Sequence, residues 1–261
     1  MSEHLVNIGP SPDSLTCGDA AGRLDAVDWD RLRAEVFADK TGALTTAKRL
    51  SELIVAAIRQ GQLLPGRRLR ETELSDVLGA SRTPLREALH SLKQQGILEA
   101  DTDSGLRVRL LSWRDVTELY ELRGTLEAMS ARLAARNASS AEREVIARIH
   151  KDEQALMHNH ADARDLARLN HAFHQAILNG ARNAFLQNSL NQQNQILILL
   201  GPTAYSLPSR QAEISDEHRA VCEAIVSRDE TAAQNAMHRH LHNALSARLA
   251  VMSEHLGAKD D

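Results

Sequence analysis

The sequence predicts a mainly α-helical protein in two parts: a small module of helices closed by a β-hairpin, then a larger all-α bundle. Three observations carry this. Aromatic residues make up only 3% of the chain, while Leu, Ala, Gln, Glu and Arg are abundant. Apolar residues recur at helical spacing from Thr45 to Gly96 and then switch to alternation over residues 97–110. From Ser112 onward the helical spacing returns and persists almost to the end of the 261 residues, a length that suits two domains.

Residues 1–43 read as an N-terminal extension. Gly, Pro, Ser and Asp without an apolar period predict disorder over about the first 20, followed by a short helix near 26–37. The module itself covers residues 44–110. Ala47, Leu50, Ile54, Ala57 and Ile58 line one face of its first helix, which Gly61 stops. Leu64-Pro65-Gly66 makes a turn. A short second helix over 71–78 turns Leu74, Val77 and Leu78 inward and closes at Gly79.

The third helix begins in Ser81-Arg82-Thr83-Pro84-Leu85-Arg86-Glu87, with Thr83 as its cap, Pro84 at its first position and Glu87 in its first turn. Leu85, Ala88, Leu89 and Leu92 form the buried stripe, and Gly96 ends it. Leu106, Val108 and Leu110 then alternate with Arg107 and Arg109, after a turn at Asp101-Thr102-Asp103-Ser104-Gly105. Three helices and a two-stranded hairpin in this order make a winged helix-turn-helix.

Residues 111–261 read as the bundle. Ser112, with Asp115 three positions on, predicts a capping box that opens a long helix to about Arg136. Further helices are expected over 141–158, 162–179, 184–200, 211–228 and 230–255. They break at Asn137-Ala138-Ser139-Ser140, Gly180-Ala181-Arg182-Asn183 and Gly201-Pro202. No strict heptad persists through these helices, so a bundle is predicted rather than a coiled coil.

Bulk properties narrow the function. No run of 18 uncharged apolar residues exists to span a bilayer, and the N-terminus has no basic stretch followed by an apolar core, so no membrane span or secretory signal is predicted. Cys17 and Cys222 are the only cysteines, which argues against a disulfide framework and for a cytoplasmic protein. The net charge of −4 is uneven: residues 44–110 carry 11 basic and 8 acidic side chains, whereas the flanking segments are acidic. Phosphate binding needs only such local positive charge.

Arg82, Thr83 and Arg86 stand on the third helix away from Leu85, Leu89 and Leu92, so the core does not use them. Arginines at the N-terminal end of a groove-inserted helix can donate paired hydrogen bonds to guanine, and the helix N-terminus, here at Ser81, favours a phosphate. Gly105 would let the wing backbone approach a groove closely. Arg67, Arg68 and Arg70 could hold phosphates and set register without reading sequence. The competing reading is a solvated basic face.

Ten of the twelve histidines lie between His150 and His255. Most are expected at the surface, His238 and His242 among them. Three differ by helical spacing: His174 shares a face with Leu166, Leu169, Phe173 and Ile177; His218 with Ile214, Val221, Cys222 and Ile225; His240 with Ala233, Met237 and Ala244. Asn170 stands one turn before His174. Imidazoles and an amide oxygen that converge could bind Zn²⁺, Ni²⁺ or Mn²⁺, although spacing alone leaves satisfied core histidines as an equal alternative.

Several of these segments resemble a known family. Gln62-Leu63-Leu64-Pro65-Gly66, Leu69-Arg70-Glu71-Thr72-Glu73-Leu74, Leu78-Gly79-Ala80-Ser81-Arg82-Thr83-Pro84-Leu85-Arg86-Glu87-Ala88-Leu89 and Gln95-Gly96-Ile97-Leu98 look like the signature of GntR-family regulators, without a gap from about 45 to 110. The resemblance implies that Arg82, Thr83, Arg86 and Gly105 face DNA. Thr72 departs from members that carry an arginine there. Leu122-Arg123…Glu127, Asn170-His171-Ala172-Phe173-His174, Glu217-His218 and His240-Leu241 resemble the FCD ligand-binding domain of the FadR subfamily. That resemblance implies an antiparallel helical bundle and a metal held by Asn170, His174, His218 and His240. Asn170 takes a place more often held by Asp, which implies weaker binding or altered metal choice. Small carboxylates commonly fill the metal's open positions in this family, and Arg123 could assist one.

The reading with most support is a homodimeric regulator that binds a short palindromic operator in double-stranded DNA, represses a nearby catabolic operon, and responds to a small carboxylate. Two others stay open: a metal-dependent enzyme fused to a DNA-binding head, against which no acid/base pair or nucleophile motif is found, and a metal-free regulator whose bundle only dimerises.

Overall fold

Runs of Leu, Ile and Ala at helical spacing are the framework of everything that follows. The computed structural model describes residues 24–38, 45–101, 105–159, 162–200, 205 and 208–257. The stretch expected to be disordered, the hairpin tip at 102–104 and the break at Gly201-Pro202 lie outside the described residues. The chain divides into two units at Ser112 and Trp113, each described by itself below.

The first unit contains α1 (Trp29–Phe37), α2 (Thr46–Arg59), β1 (Arg68–Leu69), α3 (Glu71–Leu78), α4 (Arg82–Gln94), β2 (Leu98–Ala100) and β3 (Leu106–Val108). Ile54, Leu63, Leu69, Leu74, Leu85, Leu89, Leu92 and Val108 are fully buried at its centre. The α3–α4 turn depends on Gly79, whose φ of 61° lies in the left-handed region. Its amide and that of Ala80 return hydrogen bonds to the last turn of α3, on Asp76 and Ser75.

Three details differ from the sequence reading. The sheet among the described residues has three strands, ordered β1-β3-β2, because Arg68 and Leu69 pair antiparallel with Arg107 and Leu106. A two-residue strand is too short to carry a period, so it is invisible in the sequence pattern. The third helix begins at Arg82 with Ser81 at its cap, which puts Thr83 inside the first turn rather than at the cap. Pro84 is tolerated there because the first turn's amides have no helical acceptor in any case. Leu110 lies beyond the end of β3 and is exposed, so the alternation does not carry it into the core.

The extension is more than a tail. Leu24, Val27, Trp29 and Leu32 are buried, and the Trp29 indole donates to the Leu24 carbonyl at 2.9 Å. Arg33 donates to the Leu78 carbonyl at 2.7 Å, satisfying one of the end carbonyls of α3. The expected helix near 26–37 is therefore present as α1 and is packed on the module.

The second unit is all helical: α5 (Trp113–Asn137), α6 (Ser140–His158), α7 (Ala163–Ala181), α8 (Ala184–Ile196), α9 (Pro208–Val226) and α10 (Glu230–Gly257). The segment expected as one helix over 184–200 tightens to a 3-10 turn at Leu197–Leu200. α5 packs against α7, α8, α9 and α10, and the alanines at 128, 131, 134 and 135 let these neighbours come close. Gly180 serves the same end, since a Cβ there would sit 3.2 Å from that of Ala138.

α6 opens on a capping box. The Ser139 hydroxyl accepts from the Glu142 amide, while the Glu142 carboxylate accepts from the Ser139 amide at 2.7 Å and from Arg182 at 2.9 Å. The backbone and side chain of Ser139, then Arg182, hold the Glu142 carboxyl down at about 2. A depressed carboxylate stabilises the fold above its unfolded value, near 4.5, and that contribution fades as pH falls towards 2. Ser139→Ala is expected to cost about 1 kcal/mol at pH 7 in thermal or urea unfolding. The cost should shrink in titrations carried down through pH 4, and an unchanged melting curve would contradict the cap.

Candidate functional site

The candidate DNA-reading face is built by burying its opposite side. Leu85, Ala88, Leu89 and Leu92 of α4 are 0–1% exposed, which turns Ser81, Arg82, Thr83 and Arg86 to solvent. Arg86 meets Glu71 at 2.7 Å in an exposed pair, and Arg70, at the cap of α3, meets Glu73 at 3.2 Å. Exposed pairs of this kind contribute at most about 1 kcal/mol, so a phosphate or base edge can replace the carboxylate at little cost. Thr72 is exposed beside Glu71. Gly105, on the wing, has no heavy atom within 4 Å of where a Cβ would sit.

The remaining arginines of the module divide differently. Arg68 and Arg107 face each other across β1 and β3, and their like charges are offset by Asp101 and Glu99, each at 2.7 Å. Both are structural members of the sheet, and Arg68 is a candidate for phosphate contact as well.

In the bundle, His174 from α7, His218 from α9 and His240 from α10 converge. One ligand atom from each lies within 4.8 Å of the other two. The ring centroids are 4.7–5.5 Å apart, and Nε2 of His174 lies 3.3 Å from Nε2 of His240. His218 is fully buried and stacked on Phe173, and its Nε2 has no hydrogen-bond partner.

Each ring is held from behind by a carboxylate. Nδ1 of His174 meets Glu127 of α5; Nδ1 of His218 meets Glu153 of α6 at 2.8 Å; Nδ1 of His240 meets Glu217 of α9 at 2.7 Å. A carboxylate can only accept, so these contacts place the proton on Nδ1 and leave the Nε2 lone pairs facing one another. Three neighbouring imidazole nitrogens, one of them buried without a partner, fit a divalent cation of borderline softness.

The charges agree with that fit. Burial pushes the Glu127 carboxyl up, but Arg123 and the contact with His174 outweigh it and hold it below the usual carboxylate range. Burial likewise raises Glu153, against hydrogen bonds from His150, His218 and Tyr205 that bring it down. Glu217 is lowered to about 2 because His240, Arg210 and Asn243 outweigh its burial. Burial lowers His218, and lowers His240 to about 3, in each case against the pull of its carboxylate. Both rings are therefore neutral near pH 7, the form in which imidazole binds metal.

Asn170 stands beside His174 on the wall of a cavity of about 150 Å³, and its Oδ1 lies 3.5 Å from the Tyr205 hydroxyl. Glu127, His171, Gln175 and Asn194 give this cavity a polar side; Ile177, Leu178, Leu190, Leu197 and Met237 give it an apolar one. Arg123 also lines it, but its charge is already engaged. It makes two hydrogen bonds to Glu127, at 3.0 and 2.6 Å, and lies over the Tyr120 ring. The pair runs along one helix and is buried.

The sequence reading missed the supporting groups. Glu153, Tyr205 and Arg210 were unassigned, and His150, left among the surface histidines, is buried at 3.5 Å from Glu153. Two signals were available: Glu127 lies four residues after Arg123 on α5, and His150 lies three before Glu153 on α6.

Comparison with known proteins agrees with both units. The description "Bacterial regulatory proteins, gntR family" matches residues 46–108, and "FCD domain" matches residues 118–243. A probable D-xylose utilization operon transcriptional repressor from Paenarthrobacter nicotinovorans is 31% identical over 78% of this chain and 88% of its own length. The Glc operon transcriptional activator of Escherichia coli K12 is 29% identical over 75% of this chain and 84% of its own. Among solved structures, E. coli McbR/YncC covers 80% of this chain and 100% of its own, with a TM-score of 0.66 at 20% identity, a likeness of fold. The chain belongs to the GntR family of transcriptional regulators, in the FadR-like group that carries an FCD domain. That class consists of regulators and not of enzymes.

Proposed function

We propose that this regulator represses a nearby catabolic operon. Two copies would read a short palindrome, and a small carboxylate bound in the helical unit would release or alter that binding. Residues 44–110 would read DNA, and residues 111–261 would bind the effector and dimerise. The observation that carries the DNA-reading role is the α4 face: Arg82, Thr83 and Arg86 are exposed on a helix whose other side is fully buried. Ser81 and the helix N-terminus would take a phosphate, Arg82 and Arg86 would reach base edges, and Arg70 and Gly105 would fix register.

The helical unit supplies the control. His174, His218 and His240, with Asn170 as an oxygen donor, would hold Zn²⁺, Ni²⁺ or Mn²⁺. The ion would contribute positive charge to anchor a carboxylate beside the cavity. The chain's own groups do the rest: the carboxylates of Glu127, Glu153 and Glu217 fix the imidazole tautomers, and the cavity walls select a ligand by size. Asn170 is neutral, but three carboxylates stand directly behind the histidines, so negative charge is displaced outward and not lost. Arg123 would assist the ligand by sharing its guanidinium between Glu127 and the ligand carboxylate. Because the effector and DNA would act on one equilibrium, each must alter the other's affinity by the same factor.

Arg82→Ala combined with Arg86→Ala is expected to abolish the gel shift of a promoter fragment from the flanking operon, with an unchanged circular dichroism melt. Retained binding would remove this face as the reader. Glu153→Gln should weaken Zn²⁺ or Ni²⁺ binding about 10–100-fold in chelator competition, because the His218 ring loses its fixed orientation. Equal affinity in a folded variant would contradict the supporting role, and no metal uptake by the wild type would leave a bundle without a metal function.

A further inference from the structure

The match to the gntR family begins at residue 46, so α1 and the 3-10 turn at Leu24–Ala26 lie outside it. They are nonetheless packed as core. Leu32 is fully buried, and Leu24, Val27 and Trp29 are at most 6% exposed. Apolar burial of this extent anchors the element on the module.

Its polar contacts fall at the ends of the helices that form the helix-turn-helix. Gln60 and Gln62 lie just past the end of α2. Gln62 Oε1 accepts from the Asp28 amide, an orphan donor at the start of α1, at 2.9 Å. Gln60 donates to the Glu35 carboxylate at 2.8 Å. The Arg49 guanidinium of α2 lies 5.7 Å from the centre of the Phe37 ring. At the end of α3, Arg33 donates through Nη2 to the Leu78 carbonyl at 2.7 Å, while Asp30 holds its Nη1 at 2.7 Å.

This last contact falls on the turn that aims α4. Leu78 ends α3, and its carbonyl belongs to the peptide that leads into Gly79, where the chain passes through the left-handed region. Arg82 begins α4 three residues later. The orientation of the Leu78–Gly79 peptide therefore governs the direction in which α4 leaves the turn. Bonds within the module close this turn from inside: the Gly79 and Ala80 amides return to Asp76 and Ser75, and the Ser75 hydroxyl donates to the Ala80 carbonyl at 2.7 Å. Arg33 adds a hold from outside the family match. A charged donor bonds more strongly than a neutral one, and a cation suits the negative end of a helix.

We propose that Arg33 is a positioning residue for DNA reading: α1 braces the α3–α4 turn, and through it the angle at which Arg82 and Arg86 meet base edges. The inference rests on the α4 face proposed above as the reader. Base contacts need their donors placed to within about 0.5 Å. Phosphate contacts, which supply nonspecific binding, tolerate misplacement. Loosening the brace therefore costs specific affinity and spares nonspecific affinity, whereas unfolding costs both.

The test uses the full chain, a duplex that the unsubstituted protein selects from a random-sequence pool, and a scrambled duplex. Arg33→Met keeps an aliphatic stem and removes the donor. In fluorescence anisotropy below its melting temperature, it should bind the selected duplex about tenfold more weakly. Its affinity for the scrambled duplex should stay within about twofold, with the same salt slope. Arg33→Lys, which retains a charged donor, should recover part of the loss. Gln62→Met, which frees the Asp28 end of α1, should lower specific affinity in the same selective way. Unchanged discrimination in Arg33→Met and Gln62→Met would overturn the brace. So would an equal loss on both duplexes: with a shallower salt slope it makes Arg33 a phosphate contact, and with a collapsed melt a residue of folding alone. An unsubstituted protein that prefers no duplex would overturn both the brace and the α4 reader.

Discussion

Removing a carboxylate from water costs several kcal/mol unless charges and hydrogen bonds compensate it, and the helical unit makes that exchange three times around one point. Glu127 is offset by Arg123, Glu217 by a two-pronged contact with Arg210, and Glu153 by the Tyr205 hydroxyl and His150. Each then turns its remaining capacity to an imidazole Nδ1. The three contacts join α5 to α7, α6 to α9, and α9 to α10, so five helices are tied at the histidine cluster. Apolar packing would bring these helices together in many registers. The carboxylate–imidazole pairs accept few, and the geometry of the cavity follows from the register they select.

The same arrangement sets the chemistry. Burial keeps the His218 and His240 imidazoles neutral, and a neutral imidazole can take a cation without first losing a proton. The first unit follows the opposite logic: it keeps Arg82 and Arg86 in water and packs α4 through Leu85, Ala88, Leu89 and Leu92. Its surface pairs, such as Arg86 with Glu71, are weak enough to exchange for DNA. Only residues 109–112 separate β3 from α5, and α5 carries both Arg123 and Glu127 of the cavity wall. The shortest covalent route from this cavity to the DNA-binding module therefore runs along α5.

Much of this was legible in the sequence, for identifiable reasons. Long helices with strong periodicity and Gly or Asn-Ser breaks were placed to within a few residues, and His174, His218 and His240 were singled out because each sits on an apolar stripe. The β1 strand was not legible, since two residues carry no period. The cap of α4 was displaced because Ser81 and Thr83 are both good caps and only backbone geometry separates them. Glu153 and Tyr205 could not be found because their roles depend on contacts 65 and 52 residues away in the chain. Arg123 was found, but its engagement by Glu127 emerged only once both were seen buried on one face.

Three carboxylate-backed histidines are the metal centre proposed for the helical unit. X-ray absorption at the metal edge, on full-length protein carrying one equivalent of Zn²⁺, tests it most directly. A first shell of three imidazole nitrogens at about 2.0–2.1 Å with oxygen completing it is expected, with loss of that imidazole signature in His218→Ala. A shell made of oxygen alone, or a spectrum unchanged by His218→Ala, would contradict it.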